Sequence, residues 1–180
     1  MSMRSSRRLR GARAGLALLA TVLIQAAALT APAGAMAAKY DVYSVWGHEI
    51  WYAPTNGKFL GAGSSRAGDL SAWYASIDHS IEISPKGKIE GGYAQLYRVD
   101  GVRIRGTFLS GTVRQTRQGP NCTDESHSVS GALSDVTRSD RPRAKGFGFF
   151  DAELVHHRAW VLGRCLTYSA WVAGTISVAF

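Results

Sequence analysis

Three histidines lie an even number of residues from apolar residues, so in a strand their side chains would point toward the same interior. They are His79, His127 and His156. His79, for example, is an even number of residues from Ile77 and Ile81. Because alternate residues of a strand point to opposite faces, each imidazole is expected on the apolar face of its strand. Neighbouring inward imidazoles bind polar ligands, or hold a metal that keeps one coordination position open for water.

The order of the predicted strands brings the three histidines to one end of the fold. We expect six strands of alternating direction between Ile77 and Val155, with His79 and His127 opening strands and His156 closing one. All three then meet at one mouth, as a ligand-binding site. Their spacing matches no known metal motif, so we predict no metal there. The alternative is that each is a half-buried histidine bonded to the backbone.

Other patterns for catalysis are weak or missing. Asp151 and Glu153 lie two residues apart and share one strand face, whereas glycoside hydrolysis needs two carboxylates across a cleft. We therefore expect this pair in solvent, together with His157 and Arg158. The sequence contains no Gly-x-Ser-x-Gly, His-Glu-x-x-His or Cys-x-x-Cys motif. We predict no catalytic residues and no cofactor.

The elements that must position the histidines are short β-strands punctuated by glycine. In the last one, Leu166–Val178, apolar residues and Gly174 share one parity, and Thr167, Ser169, Thr175 and Ser177 share the other. Asp100–Gly101 separates two apolar segments and predicts a hairpin with a two-residue type I′ turn. Ser134–Lys145, which is rich in charge and contains proline, predicts an exposed loop. The fold class is all-β.

Four glycines indicate how the strands are arranged. They are Gly106, Gly111, Gly131 and Gly174, and each shares a strand face with apolar neighbours. A glycine in mid-strand indicates a sharp bend or close packing, and barrels need such bends to close. Between Phe108 and Leu109 the apolar parity changes, which predicts a turn or bulge. We predict a small antiparallel β-barrel of about eight strands in a single domain, 39–180, with a β-sandwich as the alternative.

Residues 1–38 have the features of a cleaved signal peptide. Five arginines and no acid precede an apolar run, Leu16–Leu29, and small residues follow at Ala33-Gly34-Ala35. The run is short for a membrane span, so we place cleavage ahead of an uncleaved anchor. We expect a secreted or extracytoplasmic protein with no transmembrane segment in the mature chain.

The two cysteines fit an oxidising compartment. Cys122 and Cys165 are expected to form a disulfide, since exported cysteines usually pair. The alternative, a catalytic thiol, needs a nearby base and protection from oxidation.

The formal charge of +8 does not indicate nucleic-acid binding. The leader contains five of the arginines, and the rest has sixteen basic against thirteen acidic residues. It contains no basic run that would follow a phosphate backbone, so we expect no nucleic-acid partner.

These patterns favour a disulfide-stabilised binding or envelope-associated module that is not an enzyme. Its partner would be a small apolar ligand at the barrel mouth or an envelope component. One alternative is a secreted enzyme, a hydrolase or a metal-dependent catalyst, that uses the three histidines. Another is an inhibitor or surface-interaction protein that acts through the Ser134–Lys145 segment with Arg138, Arg141 and Arg143.

Overall fold

The computed structural model of the protein describes residues 39–80, 86–118 and 120–180. The predicted signal peptide, residues 1–38, lies outside them. From Ala37 to Phe180 the chain forms one compact unit. Among the described residues, no helix has the length and apolar character needed to cross a membrane.

The unit is a closed antiparallel barrel of eight strands. They are β1 (Asp41–Ala53), β2 (Asn56–Ser64), β3 (Leu70–His79), β4 (Lys86–Arg98), β5 (Arg103–Gln118), β6 (Glu125–Arg138), β7 (Arg141–Val161) and β8 (Arg164–Ala179). Each strand pairs with the next, and β1 pairs with β8 to close the barrel. The predicted barrel is confirmed, and the sandwich alternative is not what the chain forms.

Strict alternation fills the barrel with side chains. Along β7, Phe150, Ala152 and Leu154 are buried while the residues between them are exposed. The ring centroids of Trp73 and Phe108 lie 6.3 and 5.8 Å from that of Phe150, so aromatic rings from three strands meet near the middle. An eight-stranded barrel is just wide enough for its side chains to fill it, and this one is filled.

The mid-strand glycines lie where strands approach closely. Gly111 pairs with Gly131 across β5 and β6, and Gly174 pairs with Ala152 across β8 and β7. A Cβ atom on Gly174 would lie 2.1 Å from the carbonyl oxygen of Asp151, which is closer than the two atoms can approach. The predicted irregularity near Phe108 is confirmed as a register shift in the pairing of β5 with β6.

Two errors in the predicted strand order cancel. The residues around Ile77 and His79 end a strand instead of opening one, since β3 finishes at His79. The six strands expected between Ile77 and Val155 divide residues 103–118 into two. These residues form the single strand β5, because the bulge near Phe108 reverses the parity without ending the strand. Each error alone would have sent His79 to the wrong end of the barrel.

The hairpin after β4 is confirmed, but its turn differs from the predicted one. The amide of Gly101 donates to the carbonyl of Arg98 at 3.0 Å, and only Gly101 has a positive φ, at 84°. This is a three-residue loop with glycine in the left-handed position, not a type I′ turn. The two-residue turn with both central φ angles positive occurs between β7 and β8, at Leu162 and Gly163.

The predicted exposed loop at Ser134–Lys145 is wrong. β6 continues to Arg138 and β7 begins at Arg141, so a tight turn replaces the loop. Pro142 is tolerated because the ladder is already irregular next to it, where the β6–β7 register shifts between Thr137 and Arg138. Arg138 is not free for a partner, since its guanidinium is paired with Asp140 at 2.7 Å and with Asp41 at 3.4 Å.

Candidate functional site

The three predicted histidines line one small cavity at the end of the barrel where the odd-numbered strands finish, here called the histidine end. The lining residues are Glu49, Tyr52, Gly57, Phe59, Ile77, His79, Val113, His127, Val129, Leu154 and His156. The cavity measures about 30 Å³, close to the volume of one water molecule. As the described residues line it, this cavity is too small for the small apolar ligand that the sequence suggested.

Glu49 and His156 form the wall of this cavity. Oε2 of Glu49 accepts a hydrogen bond from Nε2 of His156 at 3.0 Å, and the Glu49 side chain is only 5 % exposed. The ring of Tyr52 lies edge-on to that of His156, with 5.8 Å between centroids. A buried carboxylate that bonds an imidazole fixes both its orientation and its tautomer.

His127 is the most constrained of the three histidines. Its ring centroid lies 5.3 Å from that of His156, and its Nδ1 atom is buried without a hydrogen-bond partner among the described residues. Burial lowers the pKa of His127 below its usual 6.5, and positive charge on His156 or His79 would lower it further. Oε1 of Glu125, 3.4 Å from Nε2, opposes that shift, but the pKa stays low because burial outweighs this distant contact.

His79 bonds to the backbone. Its Nδ1 lies 2.9 Å from the carbonyl oxygen of Ser80. Because a carbonyl only accepts, Nδ1 carries the proton and Nε2 is left as the acceptor in the neutral ring. For His79 the structure thus contains the backbone hydrogen bond that the alternative interpretation describes, in addition to the predicted inward position.

An open groove adjoins the small cavity on its outer side. β1 and β8 are paired from Asp41–Val178 to His48–Trp171 and then separate, although each continues along its other neighbour. The gap is a groove of about 370 Å³, here called the seam groove. Its lining residues are Glu49, Ile50, Trp51, Tyr52, Glu125, His156, Arg158, Thr167, Tyr168, Ser169 and Ala170. Glu49, Tyr52 and His156 line both spaces, so these three side chains lie between the cavity and the groove.

Two bulges account for the opening. The register of β1 against β2 shifts between Glu49 and Trp51, and that of β7 against β8 shifts between His157 and Arg158. A bulge bends its strand and increases the local twist. β1 and β8, the two strands that border the seam, therefore both bend at the level where their backbone pairing ends.

Charged side chains surround the groove in matched pairs. Nη1 of Arg158 lies 3.2 Å from Oε2 of Glu125, whose other oxygen accepts a short hydrogen bond from the Gln115 amide. Nδ1 of His157 lies 2.9 Å from Oδ2 of Asp124, and this hydrogen bond is the main cause of the lowered pKa of Asp124. His157 and Arg158, which were expected in solvent, are partly exposed, and each also contacts a carboxylate.

The remaining predicted features lie elsewhere. Asp151 and Glu153 are exposed on the outer face of β7, as expected. A wider depression of about 820 Å³ lies at the opposite end of the barrel, beside Tyr40 and Ser65, and none of its ionisable side chains is buried. Within the described part of the chain, no three His, Cys, Asp or Glu side chains are arranged to hold a metal ion. Cys122 and Cys165 form the predicted disulfide.

Glu49 is the principal site residue that the sequence analysis missed. It has the same parity as Tyr43, Val45 and Gly47, all buried in β1, so the alternation that placed the histidines inside also places Glu49 inside. A carboxylate on an apolar strand face was the available signal. Its contact with His156 depends on closure of the barrel and has no counterpart in the local sequence.

Comparison with protein-family models, with curated proteins and with solved structures finds no match for the chain. The geometry and chemistry of the site are therefore the guide to its function.

Proposed function

We propose that the protein is an exported, non-catalytic binding module that holds a small hydroxylated ring compound, such as a sugar of one or two rings, in the seam groove. The observation that supports this is the separation of β1 from β8 directly over the Glu49–His156 pair. The filled interior leaves the groove as the space at the histidine end in which a small molecule fits.

The groove walls match the chemistry of a sugar. A hydroxyl group both donates and accepts, and the groove offers the acceptors Glu49 and Glu125 beside the donor Arg158. Trp51, Tyr52 and Tyr168 are exposed at the rim and provide aromatic faces for the C–H side of a ring. A purely apolar ligand would displace water from these charged groups and offer no hydrogen bond in return.

Export is part of the proposal and is supported by the basic and apolar leader and by the disulfide. The test is an intact mass of the protein recovered from the medium of an expressing culture. We expect an amino terminus near Lys39 and a mass lower by two hydrogens than that of the reduced chain. A start before residue 30 contradicts the signal-peptide assignment.

Binding is tested by titrating residues 37–180 with cellobiose and with N,N′-diacetylchitobiose, followed by tryptophan fluorescence and calorimetry. We expect Trp51→Ala to weaken binding of the sugar that binds by roughly tenfold, since a stacked aromatic face is lost. The matched control is Trp46→Ala, which removes an exposed tryptophan on the paired part of β1. Equal losses in both variants, or no binding of either sugar, would contradict a sugar site in the groove.

A secreted acid–base enzyme is the second candidate, and the Glu49–His156 contact favours it. A carboxylate-bound imidazole is a common general base, and this one borders an open groove. The same titration separates the candidates, because a bound sugar that is unchanged after prolonged incubation supports the binding module. Turnover that disappears in His156→Gln supports the enzyme.

A further inference from the structure

The turn between β7 and β8 presents an apolar surface that the barrel does not use. We call residues Trp160–Leu166 the hairpin tip. Leu162 is 99 % exposed, and Trp160, Val161 and Leu166 are exposed beside it. None of these residues lines the seam groove or the inner cavity, so the tip is independent of the proposed ligand site.

Leu162 also has an unfavourable backbone conformation. Its φ is 51°, and the next residue, Gly163, has φ 75°, which is the pattern of a type I′ turn. Asparagine, aspartate and glycine are the residues that such turns favour, because a longer side chain is strained at positive φ. A strained and fully exposed leucine does not stabilise this chain. Its presence points to a contact with a partner outside the chain.

The charge of the segment indicates what that contact is. From Arg158 to Tyr168 the chain contains two arginines and no acidic residue. Arg164 makes no ion pair within the described part of the chain, whereas the nearby acids Asp124 and Glu125 are bonded to His157 and Arg158. A convex apolar turn with tryptophan and an unpaired arginine has the composition of a segment that enters the interface of an anionic membrane.

The base of the tip is held in place. Cys165, which pairs with Trp160 across the hairpin, is bonded to Cys122 of the β5–β6 connection. Nε1 of Trp160 donates to the carbonyl oxygen of Asn121 at 3.2 Å. A surface that is already ordered loses less conformational entropy when it binds.

We propose that the hairpin tip docks the barrel onto a lipid surface that contains anionic headgroups, with Leu162 inserted among the acyl chains and Arg164 at the headgroups. This partner is a membrane and not a protein, because the exposed tip is convex, apolar and basic and has no carboxylate of its own.

The test is flotation of residues 37–180, the compact unit that contains the whole barrel, with vesicles at low ionic strength. One set contains phosphatidylcholine and phosphatidylglycerol, and the other phosphatidylcholine alone. Leu162→Asn is the informative variant, because asparagine removes the apolar side chain and is favoured at this φ. We expect it to bind the anionic vesicles roughly tenfold more weakly, as the loss of a buried leucine predicts, while it melts at the same or a higher temperature.

Two matched controls accompany it. Leu109→Asn removes a leucine that is 70 % exposed on the barrel wall, and Arg143→Gln removes an exposed arginine at the other end of the barrel. Both are expected to bind as the unaltered protein does, whereas Arg164→Gln binds the anionic vesicles more weakly. Absence of vesicle binding, equal binding to both vesicle types, or unchanged binding of Leu162→Asn would overturn the proposal and direct the search toward a protein partner.

Discussion

Glu49 and His156 form a hydrogen bond across a strand that lies between them. Oε2 of Glu49 on β1 accepts from Nε2 of His156 on β7 at 3.0 Å, and β8 separates the two strands. The residue of β8 that pairs with His156 is Ala170, whose methyl group leaves room for the two longer side chains to meet. The pair therefore links β1 to β7, past β8, at the level where backbone hydrogen bonds no longer join β1 to β8.

Loss of this carboxylate should lower the stability of the barrel. In Glu49→Ala the Nε2–H group of His156 remains buried without its acceptor, which costs about 2 kcal/mol. Urea denaturation above pH 7 measures the change in the free energy of unfolding. The control is Glu153→Ala, an exposed carboxylate on the outer face of β7, for which we expect a change within about 0.5 kcal/mol. Equal effects of the two variants would mean that the Glu49–His156 bond contributes nothing.

The buried His127 should make the protein less stable in acid. Because burial holds its pKa below 6.5 in the folded state, the unfolded chain takes up the proton more readily. The contribution of neutral His127 to the free energy of unfolding is then complete above pH 6.5. It decreases as the pH falls below that value. His156 and His79 add to this effect when they are charged, whereas Glu125 opposes it.

Chemical denaturation at a series of pH values checks this dependence. We expect His127→Leu to reduce the loss of stability just below pH 6.5, and His48→Leu, which removes an exposed imidazole on the outer face of β1, to leave it intact. A similar pH dependence in all three proteins would assign the acid sensitivity to other groups.

The disulfide is expected to contribute substantially to stability. It closes a loop of 43 residues, for which the chain-entropy model gives about 4 kcal/mol. The double variant Cys122→Ser with Cys165→Ser should lose up to this amount in urea denaturation. Reduction of the unaltered protein with dithiothreitol serves as the comparison, and it should produce the same loss. A loss below about 1 kcal/mol would show that the loop is already ordered in the unfolded chain.

Gly174 should tolerate no side chain. An added Cβ would lie 2.1 Å from the carbonyl oxygen of Asp151 and 2.5 Å from Cα of Ala152, and both are backbone atoms that cannot move alone. We expect Gly174→Ala to cost about 3 kcal/mol in thermal unfolding. Gly91→Ala is the matched control in β4, since the nearest atom to its Cβ would be Oδ2 of Asp78 at 3.5 Å. Comparable melting temperatures for the two variants would contradict the close approach of β7 and β8.

Alternation of side chains made most of the fold predictable. The parity of β8 and the inward positions of the three histidines depend on single strands, and local sequence carries that information. The sequence also showed the bulge near Phe108, as a change of parity. It did not show that the strand continues through the bulge. The position of His79 was reached through two compensating errors, so it was not established by the order of the strands.

The features that were missed depend on non-local pairing or on strain. The separation of β1 from β8 after His48–Trp171 follows from barrel closure, which no segment encodes alone. The turn at Leu162–Gly163 was missed because leucine is among the residues least expected at positive φ. Sequence rules for turns describe the residues that are favoured at each φ, and leucine is not among those favoured at positive φ.

The paired part of the seam has a practical consequence for anyone who wishes to immobilise this protein. Asp41 pairs with Val178, so the first and last strands of the barrel start and finish side by side, at the pole far from the imidazoles. A tag, dye or sensor chip attached after Phe180 would leave the opposite pole facing outward. Oriented attachment could then be achieved without redesigning any loop.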